Sequence, residues 1–104
     1  MLMEIVAAKN KDVLLLRLKG EIDEYSASTA RRIADEIIER NLRVETAVFD
    51  LEEVSFMDST GIGFLIGRYK KLARYSIPAY IKNPTPSTDK ILSVSGVYSL
   101  IPRI

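Results

Sequence analysis

The stretch Ser55-Phe-Met-Asp-Ser-Thr-Gly-Ile-Gly-Phe-Leu-Ile-Gly-Arg-Tyr-Lys-Lys71 decides how this chain folds. It follows an apolar run at residues 46–51, and at Asp58-Ser-Thr-Gly61 the hydrophobic period changes from that of a strand to that of a helix. Ser59 is therefore predicted to lie at a helix N-terminus, where the first backbone N–H groups lack intrahelical partners and the macrodipole is positive. A hydroxyl, or a phosphate added to it, is favourably placed there. We interpret Ser59 as a switch residue.

The chain before this stretch predicts two strands and a helix. The strands are expected at residues 3–8 and 13–19, joined by a polar hairpin turn, and they should pair antiparallel. From Ser26 to about residue 40, apolar residues recur at the spacing of an amphipathic helix. Asp23 or Ser26 could cap this helix, and a direct role for Asp23 at the switch site is an equally good alternative.

The middle of the chain predicts a central strand and a second helix. Residues 46–51 are continuously apolar, which suits a strand covered on both faces, and Glu52-Glu53 is expected to turn the chain. Three side chains after that turn are expected in the core: Val54, Phe56 and Met57. The helix should run from Thr60 to about Arg74 and bury one apolar face, made of Ile62, Leu65, Ile66, Tyr69, Leu72 and Ala73.

The last part of the chain predicts a strand, a short helix and a final strand. The first strand is expected at residues 77–81, and the helix should follow a cap at Ser87 or Thr88 and end at Gly96. The final strand is expected at 97–101. The order β-β-α-β-α-β-α-β predicts a single α/β domain over residues 1–104, with a mixed, mostly parallel sheet and helices packed against it.

Composition excludes several classes of function. The 104 residues carry 15 basic and 14 acidic side chains, and a net charge of +1 leaves no large electrostatic footprint for nucleic acid. The lack of cysteine and histidine rules out thiol nucleophiles, disulfides, the usual zinc sites and histidine-based catalysis. Apolar runs are too short to span a membrane and residues 1–4 open no signal peptide, so we expect a cytoplasmic protein.

Two explanations compete for the residues around Ser59. Asp58, Ser59 and Thr60 are each good helix N-caps, so capping alone is the simpler explanation. One cap suffices, however, and capping does not account for Gly61 and Gly63, each of which costs a helix roughly 1 kcal/mol relative to alanine. Bare backbone at these glycines would let a partner protein approach the helix closely, whereas tight packing on the sheet is the alternative.

Four further patterns in and around the second helix have simpler explanations. Gly67 is expected to allow packing on the sheet. The spacing Gly-x-Gly-x-x-x-Gly differs from the dinucleotide fingerprint, whose third glycine comes one residue earlier. Basic residues could form an edge for an acidic partner, but a solvated helix face is commoner: Arg68, Lys70, Lys71 and Arg74. Acidic residues that could suggest magnesium come from separated segments: Asp23, Asp50, Glu52, Glu53 and Asp58.

Four segments carry a resemblance to a known family. Ser55-Phe-Met-Asp-Ser-Thr-Gly-Ile-Gly63, Gly67-Arg-Tyr-Lys70, Gly20-Glu-Ile-Asp23 and Asn83-Pro-Thr-Pro-Ser-Thr88 together resemble the anti-sigma factor antagonists of the STAS family. The resemblance suggests sporulation as the pathway. It implies a bacterial cytoplasmic protein that binds an anti-sigma factor and so releases the sigma factor that it held.

The resemblance also implies a phosphorylation cycle. In this family the anti-sigma factor is a serine kinase that modifies the first hydroxyl residue after the motif aspartate, here Ser59, and a PP2C-type, metal-dependent phosphatase reverses the modification. ATP and magnesium would belong to these partners, and the chain would be a monomer when not complexed, with no cofactor or catalytic residue of its own. The predicted partner-binding residues are Asp23, Asp58, Ser59, Thr60, Gly61, Ile62 and Gly63.

Two other functions remain open at this point. A domain that resembles this family can be a scaffold or regulatory domain of a larger signalling assembly, without a phosphorylation cycle. A small nucleotide-binding enzyme is the third hypothesis, which calorimetry with ATP, GTP and NAD would separate from both others.

Overall fold

Four strands form one mixed sheet in the computed structural model, which describes residues 3–104. The strands are β1 (Glu4–Asn10), β2 (Val13–Ile22), β3 (Thr46–Met57) and β4 (Ala79–Lys82). They lie in the order β1-β2-β3-β4; β1 pairs antiparallel with β2, and the other two pairings are parallel. The mixed, mostly parallel sheet is therefore confirmed. The predicted domain also includes Met1 and Leu2, which lie outside the described residues.

Within the described residues, three α-helices accompany the sheet: α1 (Ala27–Glu39), α2 (Ser59–Ala73) and α3 (Pro86–Ser95). Small residues on α1 and alternate leucines on β2 are almost completely buried in the core that the helices share with the sheet: Ala30, Ala34, Leu14, Leu16 and Leu18. Fully burying one leucine side chain contributes roughly 1.5–3 kcal/mol, so this row of leucines fixes which face of β2 points inward.

The carboxyl ends of β2 and β3 meet at one edge of the sheet, where Ile22 pairs with Met57. The chain leaves β2 through a short loop into α1, and it leaves β3 at Asp58 directly into α2. Because both exits lie at the same edge, the loop that contains Asp23 and the start of α2 are neighbours.

β3 is longer than the sequence indicates. Glu52-Glu53 continues the strand, so the predicted turn is wrong. A register shift between the Arg17–Asp50 pair and the Lys19–Glu53 pair accommodates the irregularity. The buried Asp50 carboxylate accepts hydrogen bonds from the Glu52 N–H, at 3.0 Å, and from Arg17 Nε, at 3.3 Å. These bonds compensate for the buried charge, which sequence periodicity does not reveal.

Phe56 is a second correction in β3. Val54 and Met57 are buried as expected, but Phe56 keeps 49% of its surface exposed. A second register shift lies at Ser55, and the extra residue changes which side of the strand the following side chains occupy. The simple alternation that places both Val54 and Phe56 in the core therefore fails here.

The buried face of α2 differs in part from the prediction. Its buried residues are Gly61, Ile62, Phe64, Leu65, Arg68 and Leu72. Ile66 and Tyr69 are only half-buried, and Ala73 is exposed. The predicted face is thus rotated toward Phe64 and Arg68, because α1 packs along that side of α2.

Arg68 does not belong to the predicted basic edge. It is 7% exposed, its Nε lies 2.8 Å from Asp35 Oδ1 on α1, and its guanidinium carbon lies 5.2 Å from the centre of the Phe64 ring. Burial lowers the pKa of Arg68, and Asp35 opposes that shift. Lys71 Nζ also contacts Glu39 Oε1 at 2.8 Å, and this hydrogen bond raises the pKa of Lys71 and lowers that of Glu39. Two ion pairs therefore join α1 to α2.

The cap of α3 is Thr85 rather than Ser87 or Thr88. The Thr85 hydroxyl accepts a hydrogen bond from the Thr88 N–H at 3.3 Å, and Pro86 occupies the first helical turn, where its missing N–H costs nothing. Gly96 ends α3 with a φ of +80°, as the sequence predicts.

The predicted last strand at residues 97–101 is wrong. Val97–Ser99 is a 3-10 helix. One isolated bridge lies beyond it, where the Ile81 N–H donates to the Pro102 carbonyl and the Ile104 N–H donates to the Ile81 carbonyl, both at 2.9 Å. The end of the chain thus contacts the outer edge of β4 without forming a strand.

Candidate functional site

Asp58 caps the N-terminus of α2. Its backbone is extended, and its carboxylate Oδ1 accepts a hydrogen bond from the Thr60 N–H at 2.9 Å. Its carbonyl oxygen accepts from the N–H groups of Gly61, at 3.0 Å, and Ile62, at 3.2 Å. The side-chain cap is therefore made by Asp58, and capping does not explain why hydroxyl residues follow it.

Ser59 is exposed at the first position of α2, and Thr60 beside it is half-buried. The hydroxyl of Ser59 is thus accessible to a protein that approaches the start of the helix. Accessibility of this atom is the geometric condition that the switch hypothesis requires.

The amide groups at the start of α2 are less available to an anion than the sequence indicates. The N–H groups of Thr60 and Gly61 already donate to oxygens of Asp58. A phosphate on Ser59 would also stand beside the Asp58 carboxylate, which carries the same sign of charge. The favourable helix-terminus effect, worth roughly 0.3–1 kcal/mol, is therefore opposed at this site.

The three glycines of α2 have different surroundings. A Cβ atom at Gly61 would lie 2.4 Å from Met57 Cγ and 3.2 Å from Ile22 Cγ2, so Gly61 allows α2 to pack against the end of the sheet. A Cβ atom at Gly63 or at Gly67 would meet no heavy atom of residues 3–104 within 4 Å. The packing explanation therefore holds for Gly61 and is wrong for Gly67, and it leaves Gly63 without a reason inside the fold.

Asp23 organises the loop that precedes α1. Its Oδ1 accepts hydrogen bonds from the N–H groups of Tyr25, at 2.9 Å, and Ser26, at 3.1 Å. The Ser26 hydroxyl donates to the Glu21 carbonyl at 2.8 Å. These bonds order the loop itself: the N-cap position of α1 is Ser26, which makes no side-chain cap bond, and the Asp23 carboxylate binds amide groups that precede the helix. The predicted side-chain cap of α1 by Asp23 or Ser26 is therefore wrong, and a direct role of Asp23 at the switch site stays a prediction.

The predicted partner-binding residues lie together at one edge of the sheet, but only some of them reach the surface. Ser59 and Gly63 are exposed, and Asp23, Asp58 and Thr60 are half-buried. Gly61 and Ile62 are buried and support the helix from inside.

Sequence reasoning missed two exposed aromatic residues at this edge, Phe56 and Tyr25. The alternation of side chains along a strand had predicted that Phe56 lies in the core. For Tyr25 the sequence contained a weak indication of exposure, because an aromatic residue in a polar loop has few apolar neighbours in sequence.

The remaining candidate sites do not converge on Ser59. Within residues 3–104 no group of three acidic side chains is arranged to hold a metal ion, and Asp50 is paired with Arg17 inside the sheet. A groove of about 440 Å³ lies at the other end of α2 and is lined mainly by apolar and tyrosine side chains, among them Tyr69, Ala73 and Tyr80. Ser59 and Ala73 are roughly 20 Å apart along the helix axis. None of the helices in the described part of the chain is long and apolar enough to cross a membrane.

The strand order, together with a helix that leaves β3 directly and begins with the exposed Ser59, defines the class of this protein as a mixed α/β domain with a candidate site at the carboxyl edge of its sheet. The chain belongs to the STAS domain family, whose sequence profile matches residues 4–104. The family resemblance of the motif around Ser59 is therefore confirmed.

Individual relatives agree with this assignment. The chain is 31% identical over 100 residues to the anti-sigma F factor antagonist of Paenibacillus polymyxa, an alignment that covers 96% of this chain and 85% of the relative. It is 25% identical to the anti-sigma factor antagonist SpoIIAA in its unphosphorylated form, with a TM-score of 0.79 over 97% of this chain and 88% of that one. The phosphorylated form of SpoIIAA from Bacillus gives a TM-score of 0.70 at 25% identity, over 97% and 91% of the two chains.

Proposed function

We propose that this chain is a cytoplasmic anti-sigma factor antagonist, which binds an anti-sigma factor and so releases the sigma factor held by it. The anti-sigma factor is also a serine kinase that phosphorylates Ser59 and thereby ends the interaction, and a PP2C-type phosphatase restores it. The observation that carries the proposal is the exposed Ser59 hydroxyl at the start of α2, in a chain similar to antagonists of this kind. The chain is the substrate and ligand in this cycle, and ATP and magnesium belong to the partners.

Electrostatics supports phosphorylation as an off-switch. A phosphate adds about −1.5 to −2 charges at neutral pH. The two segments that form this edge, residues 20–26 and 52–63, contain six acidic side chains and no lysine or arginine. Neither of these two segments therefore supplies a cation to pair with the phosphate, and the adjacent Lys19 already contacts Glu53 at 3.6 Å. In a closed interface an unpaired charge costs several kcal/mol, and each 1.4 kcal/mol weakens binding about tenfold.

The absence of a Cβ at Gly63 supports contact along the exposed side of α2. A glycine inside a helix costs roughly 1 kcal/mol relative to alanine, and no contact within the described part of the chain requires one at Gly63. A partner whose backbone or side chains approach closely would require it. The proposed contact surface is therefore Asp58, Ser59, Thr60 and Gly63, with Asp23 holding the adjacent loop.

The test uses the purified anti-sigma factors encoded in the genome that carries this chain, each incubated with the protein, ATP and magnesium. Mass mapping should find one phosphate on Ser59 and none on the neighbouring Thr60, whose hydroxyl is not the target. Ser59→Ala should bind the cognate anti-sigma factor and resist modification, whereas Ser59→Asp and the phosphorylated protein should bind at least about tenfold more weakly.

Two results would contradict the proposal. Equal affinity of the wild-type, Ser59→Asp and phosphorylated proteins would remove the charge mechanism. Failure of every anti-sigma factor to bind, with the chain recovered unmodified in a stable large assembly, would favour the scaffold hypothesis.

Calorimetry of the isolated protein with ATP, GTP and NAD should give no binding heat, since the proposal assigns nucleotide to the partner.

A further inference from the structure

We propose that Phe56 is an aromatic anchor for the anti-sigma factor and that the partner receives it in an apolar recess bordered by lysine or arginine side chains. This inference rests on the proposed function and extends its contact surface from the start of α2 onto the end of β3.

A bulge in β3 turns Phe56 outward. Val54 pairs with Gly20 and is buried, and the next pairing joins Phe56 to Glu21, so that Ser55 is an extra residue in β3. Without the extra residue, Phe56 would occupy the buried side of the strand. β-bulges frequently re-aim a side chain next to a functional site. The backbone irregularity therefore has the specific effect of presenting an aromatic ring at the surface.

The next residue of the strand, Met57, is the one whose side chain enters the core; it pairs with Ile22, is buried and packs beneath Gly61. Exposure of Phe56 is thus not a packing defect that the fold could relieve by turning the ring inward. A second aromatic residue at the same edge, Tyr25, is 83% exposed, and its backbone N–H is held by the Asp23 carboxylate. Large aromatic side chains presented on a rigid backbone are the residues that most often dominate protein interfaces.

The charges around Phe56 indicate the chemistry of its partner. Glu21 lies opposite Phe56 in the sheet, and Glu52 and Glu53 precede it in the same strand. Lys19 contacts Glu53 at 3.6 Å and is the basic residue that the sheet pairing places beside this group. A partner surface with an apolar recess and a basic border would be complementary in both shape and charge.

The experiment measures binding of the cognate anti-sigma factor to Phe56→Ala, with Tyr75→Ala as the matched control. Tyr75 follows the far end of α2 and is 46% exposed, against 49% for Phe56. Phe56→Ala should weaken binding at least about tenfold, Tyr75→Ala should leave it unchanged, and Phe56→Tyr should restore most of it. Raising the salt concentration should weaken binding of the wild-type protein, because salt screens the charges at the rim of the contact.

Thermal unfolding of each variant shows whether a loss of binding comes from loss of the fold. Phe56→Tyr retains the ring, so it keeps the comparison valid if Phe56→Ala unfolds. Equal affinity of wild type and a folded Phe56→Ala would overturn this inference and leave the proposed function intact. If no anti-sigma factor binds the wild-type chain, the proposed function fails and this inference fails with it.

Discussion

Replacing Gly63 with alanine should make the protein more stable and its binding to the anti-sigma factor weaker. An added Cβ would meet no heavy atom of the described residues within 4 Å, so it introduces no clash with them in the free protein. Alanine is favoured over glycine inside a helix by roughly 0.8–1 kcal/mol. In a domain of this size 1 kcal/mol changes the melting temperature by roughly 4–8 °C, and we expect an increase of about that amount.

Gly61→Ala is the matched variant with the opposite effect on stability. Its Cβ would lie 2.4 Å from Met57 Cγ, a contact that forces the methionine side chain to move. Overpacking of this kind costs roughly 1–3 kcal/mol, which equals or exceeds the helix-propensity gain of about 1 kcal/mol. The melting temperature should therefore stay level or fall. The two substitutions add the same methyl group two residues apart in one helix. The difference between their melting temperatures therefore reports the difference in the surroundings of the two glycines.

The assay combines thermal unfolding with calorimetric titration of the anti-sigma factor. A methyl group forced into a closely packed interface costs roughly 1–3 kcal/mol, which corresponds to a loss of affinity between about fivefold and a hundredfold. Gly67→Ala should give the same gain in stability as Gly63→Ala with a smaller loss of binding, because it lies one turn farther from Ser59. A less stable Gly63→Ala would refute the geometric argument. A more stable variant that binds like wild type would refute the close approach of a partner.

Three further variants test the contacts that hold the site and the core. Asp58→Ala removes the cap of α2 and should cost about 1 kcal/mol in urea unfolding; an unchanged midpoint would show that the cap is not stabilising. Arg68→Ala leaves the Asp35 carboxylate without its partner and should cost roughly 1.5–3 kcal/mol, whereas a neutral result would mean that the ion pair only offsets its own desolvation. Burial, and then the 2.6 Å hydrogen bond to Asp89, raise the pKa of Tyr98, so the unfolded chain loses this proton first and stability should fall as the pH rises above about 10. Tyr98→Phe should show a shallower fall, and identical slopes would contradict the assignment.

Local signals in the sequence were sufficient for the elements next to the site. Asp58 followed by residues at helical spacing predicts the start of α2 to within one residue, because capping and periodicity agree there. The direction in which the strands pair also follows from local information, since a hairpin requires antiparallel pairing and helical connections favour parallel pairing.

The predictions from sequence were wrong at positions where residues distant in the chain determine the structure. Alternation cannot detect an extra residue in a strand, so the outward position of Phe56 depends on the pairing of β3 with β2. Arg68 is polar and was assigned to the surface, but Asp35 on another helix provides its partner. The segment 97–101 is apolar enough for a strand, yet β4 accepts only the short bridge around Pro102 beside its outer edge.

Because the oxygens of Asp58 already accept from the N–H groups of Thr60, Gly61 and Ile62, the phosphate proposed for the Ser59 hydroxyl would gain little anchorage from these amide groups and would extend into water. Neither attaching it nor cleaving it would then require α2 to fray, and both enzymes would meet the same unaltered backbone. Under the proposed cycle, the fraction of chains that carry the phosphate would then follow the ratio of kinase to phosphatase in the cell, and the modification would be fully reversible.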